Sequence, residues 1–177
     1  LGYELHMPAY LLLTIYESLE RVGADYGLRD FGGYAFNSMR MEKMYRAWGS
    51  EFTEEISGAE AGMERFIDTS RDFIGVEAVK RRLAEGGRIK LAYLACDEDV
   101  ACECFGNEAI YQGDELVGLT TGGAYGHRVG YSLAFAYIRP ELVAQDTALQ
   151  VMTSAGMRQA HVEMNAVYDP GNERLRA

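Results

Sequence analysis

The spacing of hydrophobic residues changes character once along the chain. Helical periods dominate as far as Glu85, and from Arg88 onward short, roughly alternating apolar runs are separated by turn residues. The opening LGYELHM, residues 1–7, alternates apolar and other residues and predicts a β-strand that carries the lone carboxylate Glu4. Pro8 stands where a first-turn proline belongs, and Leu12, Ile15, Tyr16, Leu19 and Val22 share one face of a helix that stops at Gly23. A glycine-rich bend, DYGLRDFGG, leads to a second predicted helix over residues 34–46. Its apolar stripe includes Tyr34, Ala35 and Met39, with Met41 and Tyr45 towards the flank. RAWGSEF reads as loop, GAEAGMERFID as a short strand, and DFIGVEAVKRRLAEGG as an amphipathic helix closed by Gly86 and Gly87.

Beyond Arg88 the runs RIKLAYLAC, EAIYQGDELVGLTTGG, YSLAFAYIRPE and ALQVMTSAGMRQAHVEM predict antiparallel strands. A hairpin turn falls at Gly113 and Asp114. The second half is therefore expected to be an all-β sandwich or barrel. A boundary near Glu85–Arg88 separates it from mixed α and β, and contact between the parts is expected through YRAWG and FIG.

Composition narrows the partners. The 177 residues are 48% hydrophobic and 25% charged, which is ordinary for a globular chain able to bury a core. Lys plus Arg is 17 against 27 for Asp plus Glu, a net charge of -10, so no basic stripe is available for nucleic acid or an anionic membrane. No stretch approaches the roughly 18 apolar residues of a membrane span. Three cysteines, an odd number, point to a reducing, cytoplasmic compartment rather than a disulfide framework. A chain that begins within a strand reads as processed or as a piece of a longer protein, and the piece is the favoured expectation.

Candidate chemistry is sparse. Cys96, Cys102 and Cys104 in CDEDVACEC lack the paired spacing of a metal site. The glycines of TTGGAYGHRVG fit no phosphate-binding pattern and read as a hairpin turn between barrel strands. His6, His127 and His161 belong to no recognisable catalytic signature. The 12 tyrosines and 8 methionines suit core packing or a flat aromatic ligand. By residue pattern alone the chain is an α+β protein without a visible catalytic motif.

Several segments taken in order carry more. LGYELHMPA, GLRDFGGYAFNSMRMEKMYRAWG, EAGMERFID with DFIGVEAVKRR, GNEAIYQGDELVGLTTGGAYGHRVGYSLAFAYIRPE and the terminal YDPGNERLRA together resemble the aminomethyltransferase family. That family comprises the glycine cleavage T-protein and the folate-binding C-terminal part of dimethylglycine and sarcosine dehydrogenases, and NSMRMEKMYRAWG is more similar to the dehydrogenase branch. The resemblance implies an α+β architecture. Residues 1–86 would be the last part of a T-protein-like folate-binding domain and residues 87–177 an antiparallel β-barrel.

It also implies a tetrahydrofolate-dependent passage of a methylene unit from an N-methyl amine. FAD would be confined to a preceding domain of a dehydrogenase-type parent, and the preceding domains of the same chain would be the macromolecular partners. Glu4, otherwise a solvent-facing strand residue, matches the family's pteridine-binding glutamate, whose two oxygens suit paired N–H donors. Phe36 stands where T-protein has a folate-holding arginine, and Arg65, beside Phe66, falls where T-protein offers a tryptophan. Arg40 and Glu42 match a family motif and read as structural ties. The family's catalytic aspartate lies upstream, so no catalytic residue is assigned and the chain by itself is expected to be inactive. Transfer from a lipoyl arm and a non-catalytic folate-binding or interaction module remain alternatives.

Overall fold

The structure, a computed structural model, describes residues 3–96 and 104–176. Three helices precede the sheet: α1 (Leu12–Gly23), entered through a 3-10 turn at Ala9–Leu11, α2 (Gly33–Glu42) and α3 (Val76–Glu85). Six strands follow: β1 (Lys90–Cys96), β2 (Ala109–Gln112), β3 (Glu115–Gly126), β4 (Tyr131–Ile138), β5 (Ala148–Thr153) and β6 (Gly156–Glu163). They close an antiparallel barrel in the spatial order β1-β4-β3-β2-β5-β6, with β6 returning to pair with β1. The expected barrel is therefore the observed one. Gly113, with φ 61°, makes the β2–β3 turn.

Strands β1 and β4 read as continuous apolar runs because both of their faces are covered. Inside the barrel Ala92, Leu94, Ala134, Ala136 and Ile138 pack with Ile110, Leu149, Val151 and Val162. On the outside Leu91, Tyr93, Leu133 and Phe135 pack with Met41 of α2. A strand with period-2 alternation has one wet face. These two have none.

Helix α2 lies along β3 where that strand outruns its partner. β2 pairs with β3 only as far as Leu119, and Asn107 and Glu108 extend the contact to Thr120. Past that point the carbonyls of Gly123 and Tyr125 accept hydrogen bonds from Asn37 Nδ2 (2.9 Å) and Ser38 Oγ (2.7 Å). Glu42 Oε1 accepts the Arg128 and Val129 N–H groups of the β3–β4 turn at 2.6 and 3.3 Å.

The buried face of α2 is therefore Ser38, Met41 and Glu42, while Tyr34 is 90% exposed and Met39 is also exposed. The expected stripe of Tyr34, Ala35 and Met39 is corrected, because this helix docks on an unpaired strand edge that calls for polar side chains. The helix also stops at Glu42, four residues short of expectation, where Met44 adopts φ 56°.

Other expectations change with it. Residues 3–7 form no strand, and Tyr3 and Leu5 are exposed, since alternation makes a strand only where a neighbour meets its backbone groups. GAEAGMERFID is a series of turns with a 3-10 segment at Glu64–Phe66, bent at Gly62 with φ 66°. TTGGAYG is part of β3, and the turn is the HRVG that follows. The FIG segment does not pack on the barrel, as Ile74 is fully exposed. The apolar face expected for α1 exists as a helix face, but none of its residues is buried. Tyr16 on that face donates to Asp30 Oδ2 (2.8 Å), which folds the glycine-rich bend back on the helix. Cys96 and Cys104 lie in the barrel core, and Cys102 falls outside the described residues.

Glu60 ties the loop before α3 to β1. Its carboxylate accepts the Ser57 N–H (3.0 Å) and hydroxyl (2.7 Å), while its backbone carbonyl accepts Leu91 N–H (2.8 Å). Burial pushes the carboxyl up, but the Ser57 bonds and the charge of Arg82 outweigh it and hold Glu60 below its ordinary 4.5. A carboxyl lowered on folding stabilises the protein above its unfolded value, and that contribution disappears as pH falls through the folded value. The stability gap between the wild type and Glu60→Gln, read from urea midpoints, is therefore expected to be full near neutral pH and to narrow below pH 4.5. A gap that stays constant from neutral to acid pH contradicts the assignment.

Gly123 is required by close approach rather than by its backbone angle. A Cβ there would stand 2.4 Å from the Leu133 carbonyl oxygen, and backbone cannot step aside. Gly123→Ala is expected to lower stability by about 1–3 kcal/mol in chemical denaturation. An unchanged midpoint would show that the β3–β4 pair can spread.

Candidate functional site

A buried ion pair organises the segment that follows α2. Arg40 Nη1 lies 3.0 Å from Glu51 Oε2, and the two side chains are 10% and 0% exposed. The remaining capacity of Glu51 is used as well. Ala47 N–H donates to Oε2 (2.7 Å), Thr121 Oγ1 to Oε1 (2.8 Å), and the Tyr137 hydroxyl to the backbone oxygen (2.7 Å). Arg40 Nε donates to Asn37 Oδ1 (2.8 Å), joining the pair to the α2–β3 contact. Burial, with the Glu51 charge added, raises the Tyr137 phenol well above its ordinary value. The structural role expected for Arg40 and Glu42 is thus observed. Glu51 was not legible, because nothing in RAWGSEF separates it from the exposed Glu54 and Glu55 that follow.

The loop held by this network forms one wall of a cavity of about 450 Å³. Lys43, Met44 and Arg46 come from that loop, Met63, Arg65 and Phe66 from the turn before α3, and Asn165 and Asn172 from the C-terminal segment. Lys43 pins that last segment through Asp169 Oδ2, 3.2 Å away. Arg46 donates from Nε to the Ala61 carbonyl and from Nη1 to the Met44 carbonyl, both at 3.2 Å. Burial lowers the Arg46 pKa, and the neighbouring Arg65 charge lowers it further. Arg46 drew no attention in the sequence because it sits at the end of a predicted helix.

The residues assigned from the sequence are not gathered in this cavity. Arg65 lines it, with its guanidinium 4.5 Å from the centre of the Phe66 ring. Phe36 is 57% exposed on α2, and Glu4 is exposed with His6 3.5 Å away, and neither borders the cavity. Tyr3, near Glu4 in the sequence, and Phe31 and Tyr34, near Phe36, are exposed as well. Among the described residues no group of three or more His, Cys, Asp or Glu side chains is placed to hold a metal ion. None of the described helices is long and apolar enough to cross a membrane.

Comparison with known proteins places this architecture. The family profile described as the GCVT N-terminal domain matches residues 1–71, and that of the glycine cleavage T-protein C-terminal barrel domain matches residues 90–169. The chain belongs to the glycine cleavage T-protein, or aminomethyltransferase, family. Mitochondrial dimethylglycine dehydrogenase of Mus musculus is 39% identical over 86% of the chain and 18% of its own length. Mitochondrial sarcosine dehydrogenase of Mus musculus is 32% identical over 99% of the chain and 20% of its own length. The chain thus spans about a fifth of these relatives. The solved aminomethyltransferase T of the glycine cleavage system from Bartonella henselae superposes with a TM-score of 0.79 at 15% identity, over 89% of this chain and 44% of that one, and so shares the fold.

Breaking the buried pair has a calculable consequence. Arg40→Met leaves the Glu51 carboxylate buried without its counter-charge and is expected to cost about 3–5 kcal/mol in urea denaturation. The exposed Lys80–Glu77 pair on α3 serves as the control, and Lys80→Ala is expected to stay within about 0.5 kcal/mol. Equal effects for the two substitutions contradict the role given to Arg40.

Proposed function

We propose that the chain supplies part of a tetrahydrofolate site in a one-carbon-transfer enzyme, which passes a methylene unit from an N-methyl amine of the dimethylglycine or sarcosine kind to tetrahydrofolate. The observation that carries this reading is the succession of the two T-protein domain matches along one chain whose relatives are amine dehydrogenases. Residues 1–86 serve as the folate-domain part and residues 87–177 as the barrel that backs it. FAD belongs, in this reading, to another part of the complete protein. The partners are the preceding domains of the same chain, for which the uncovered apolar face of α1 offers a contact. The reducing, cytoplasmic setting suggested by the cysteine count belongs to the same proposal.

The residues present suit the ligand chemically. The exposed Glu4 carboxylate, with Oε2 3.5 Å from His6 Nε2, can accept N–H groups of a pteridine, and the exposed Phe36 ring offers a stacking face. Arg65 provides a cation for an acidic group. When bound, tetrahydrofolate supplies the N5 nucleophile. The work of this chain is to orient that ligand and help keep water from it, which is catalysis by proximity rather than by an acid or base of its own. Phe36 in place of an arginine favours a second reading, a folate-binding or interaction module without catalysis. Transfer from a lipoyl-borne aminomethyl group, as in T-protein, is the alternative within the enzyme reading.

Titration calorimetry of tetrahydrofolate into the complete protein and its Glu4→Gln variant tests the assignment. Gln exchanges one acceptor for a donor, and the affinity is expected to fall about tenfold to a hundredfold. The thermal midpoint is expected to be unchanged, because the Glu4 side chain is exposed. Equal affinities would remove Glu4 from the site, and no binding to either protein would overturn the folate reading.

A further inference from the structure

We propose that the outer face of the barrel across β3, β2, β5 and β6 is an internal interface, covered in the complete protein by the dehydrogenase-type part of the same polypeptide. This rests on the reading of the chain as part of a larger protein of that type. The first ground is what the strand register gathers there. Leu119 stands opposite Ala109, and Met152 opposite Met157. Ile110 pairs with Val151, so the antiparallel register puts Ala109 beside Met152 and completes one row across four strands. In the next row Leu116 is opposite Tyr111, Tyr111 opposite Gln150, and Gln150 opposite Gln159. Ile110 and Val151, which lie between the rows, belong to the barrel core, so both rows face outward.

The second ground is composition. Charged residues make up 25% of the chain, yet neither row holds a charged side chain. Leu116, Leu119, Met152 and Met157 are between 38% and 58% exposed. An antiparallel strand with a wet face carries polar residues on it. Here the outward positions are leucine, methionine, tyrosine, alanine and glutamine. Charges stand at the margin, Glu115 with Arg139 (2.9 Å) and Glu163 with His161 (3.2 Å). An apolar centre with a polar rim is the anatomy of a protein contact, and methionine adapts readily to a partner's surface. The outer faces of β1 and β4 are already covered, with Met41 of α2 on Tyr93 and Phe135.

The third ground is size, which selects the occupant. Four strands about 4.8 Å apart and two rows about 7 Å apart, with their side chains, make a patch on the order of 300 Å². That is well short of the roughly 800 Å² per partner in a stable complex of separate molecules. A second copy or a free partner would be held weakly, whereas a tethered segment meets the face at high effective concentration. Polypeptide for that role is abundant, since the chain spans about a fifth of its dehydrogenase relatives.

Met152 and Met157 report directly on such a cover, because oxidation of methionine follows its exposure. In the complete protein under dilute hydrogen peroxide, mass spectrometry is expected to find both oxidised about tenfold or more slowly than in the same protein unfolded in urea. Leu119→Glu puts a charge into the upper row and is expected to bring both rates close to the unfolded ones. Its side chain is half-exposed on the barrel, and circular dichroism checks that the variant stays folded. Oxidation of the wild type at nearly the unfolded rate overturns the proposal, and so does protection that Leu119→Glu leaves unchanged. Protection that is lost on dilution would assign the face to a second copy and also overturn it. Tetrahydrofolate titrated into the same preparation tests the folate reading separately. Folate binding with unprotected methionines overturns the interface alone, and protected methionines without folate binding support the interface and overturn the folate site alone.

Discussion

Past Thr120, β3 stays paired with β4 but has no strand on its β2 side, which leaves carbonyls along that edge to be met in another way. Helix α2 meets them with side chains, Asn37 to Gly123 and Ser38 to Tyr125. An open edge invites pairing with other chains, and covering it with a helix is one of the few stable solutions. Much else follows from this contact. It fixes which face of α2 is buried, sets Met41 against Tyr93 and Phe135, and brings Glu42 over the β3–β4 turn. The Tyr93 hydroxyl then donates to the Met41 carbonyl (2.7 Å), so the end of the helix is satisfied by the barrel itself.

From there the Arg40–Glu51 pair carries order into the following loop. Glu51 accepts from the loop backbone and from Thr121 of β3, so one buried carboxylate joins helix, loop and barrel. A buried charge pair adds little net stability over a hydrophobic substitute, but it is specific, because each displaced partner leaves a charge unmet. Specific placement is what the loop requires, since its next residues, Lys43 to Arg46, form the cationic wall of the cavity.

The outward face tells a different story. Tyr3, Tyr34, Phe36 and the apolar residues of α1 are exposed, whereas the barrel hides almost every large apolar group on β1 and β4. Exposed aromatic and aliphatic surface can mark a ligand or partner contact. Here these residues all fall within the segment matched to the N-terminal domain of the family.

The barrel was readable from the sequence because its strands carry their own signals: apolar runs of strand length, a Gly113 turn with the left-handed angle it needs, and turn residues at each end. Helices α1 and α3 were equally readable, being amphipathic and closed by glycine. The family emerged from motif order. The failures share one cause. Residues 3–7 alternate as a strand does, but among the described residues no strand pairs with them, and a strand is a property of two segments. The stripe on α2 was misplaced because the sequence shows which residues are apolar and not which surface awaits them, and a strand edge selected Ser38 and Glu42 over Tyr34. Arg46 and Glu51 look like any other surface charges in one dimension, and Arg65 stood out only through the family motif. What separates Arg46 and Glu51 is the burial and the partners that arise only when distant segments meet, so local pattern determined the elements and tertiary packing decided which charges were buried and how they were paired.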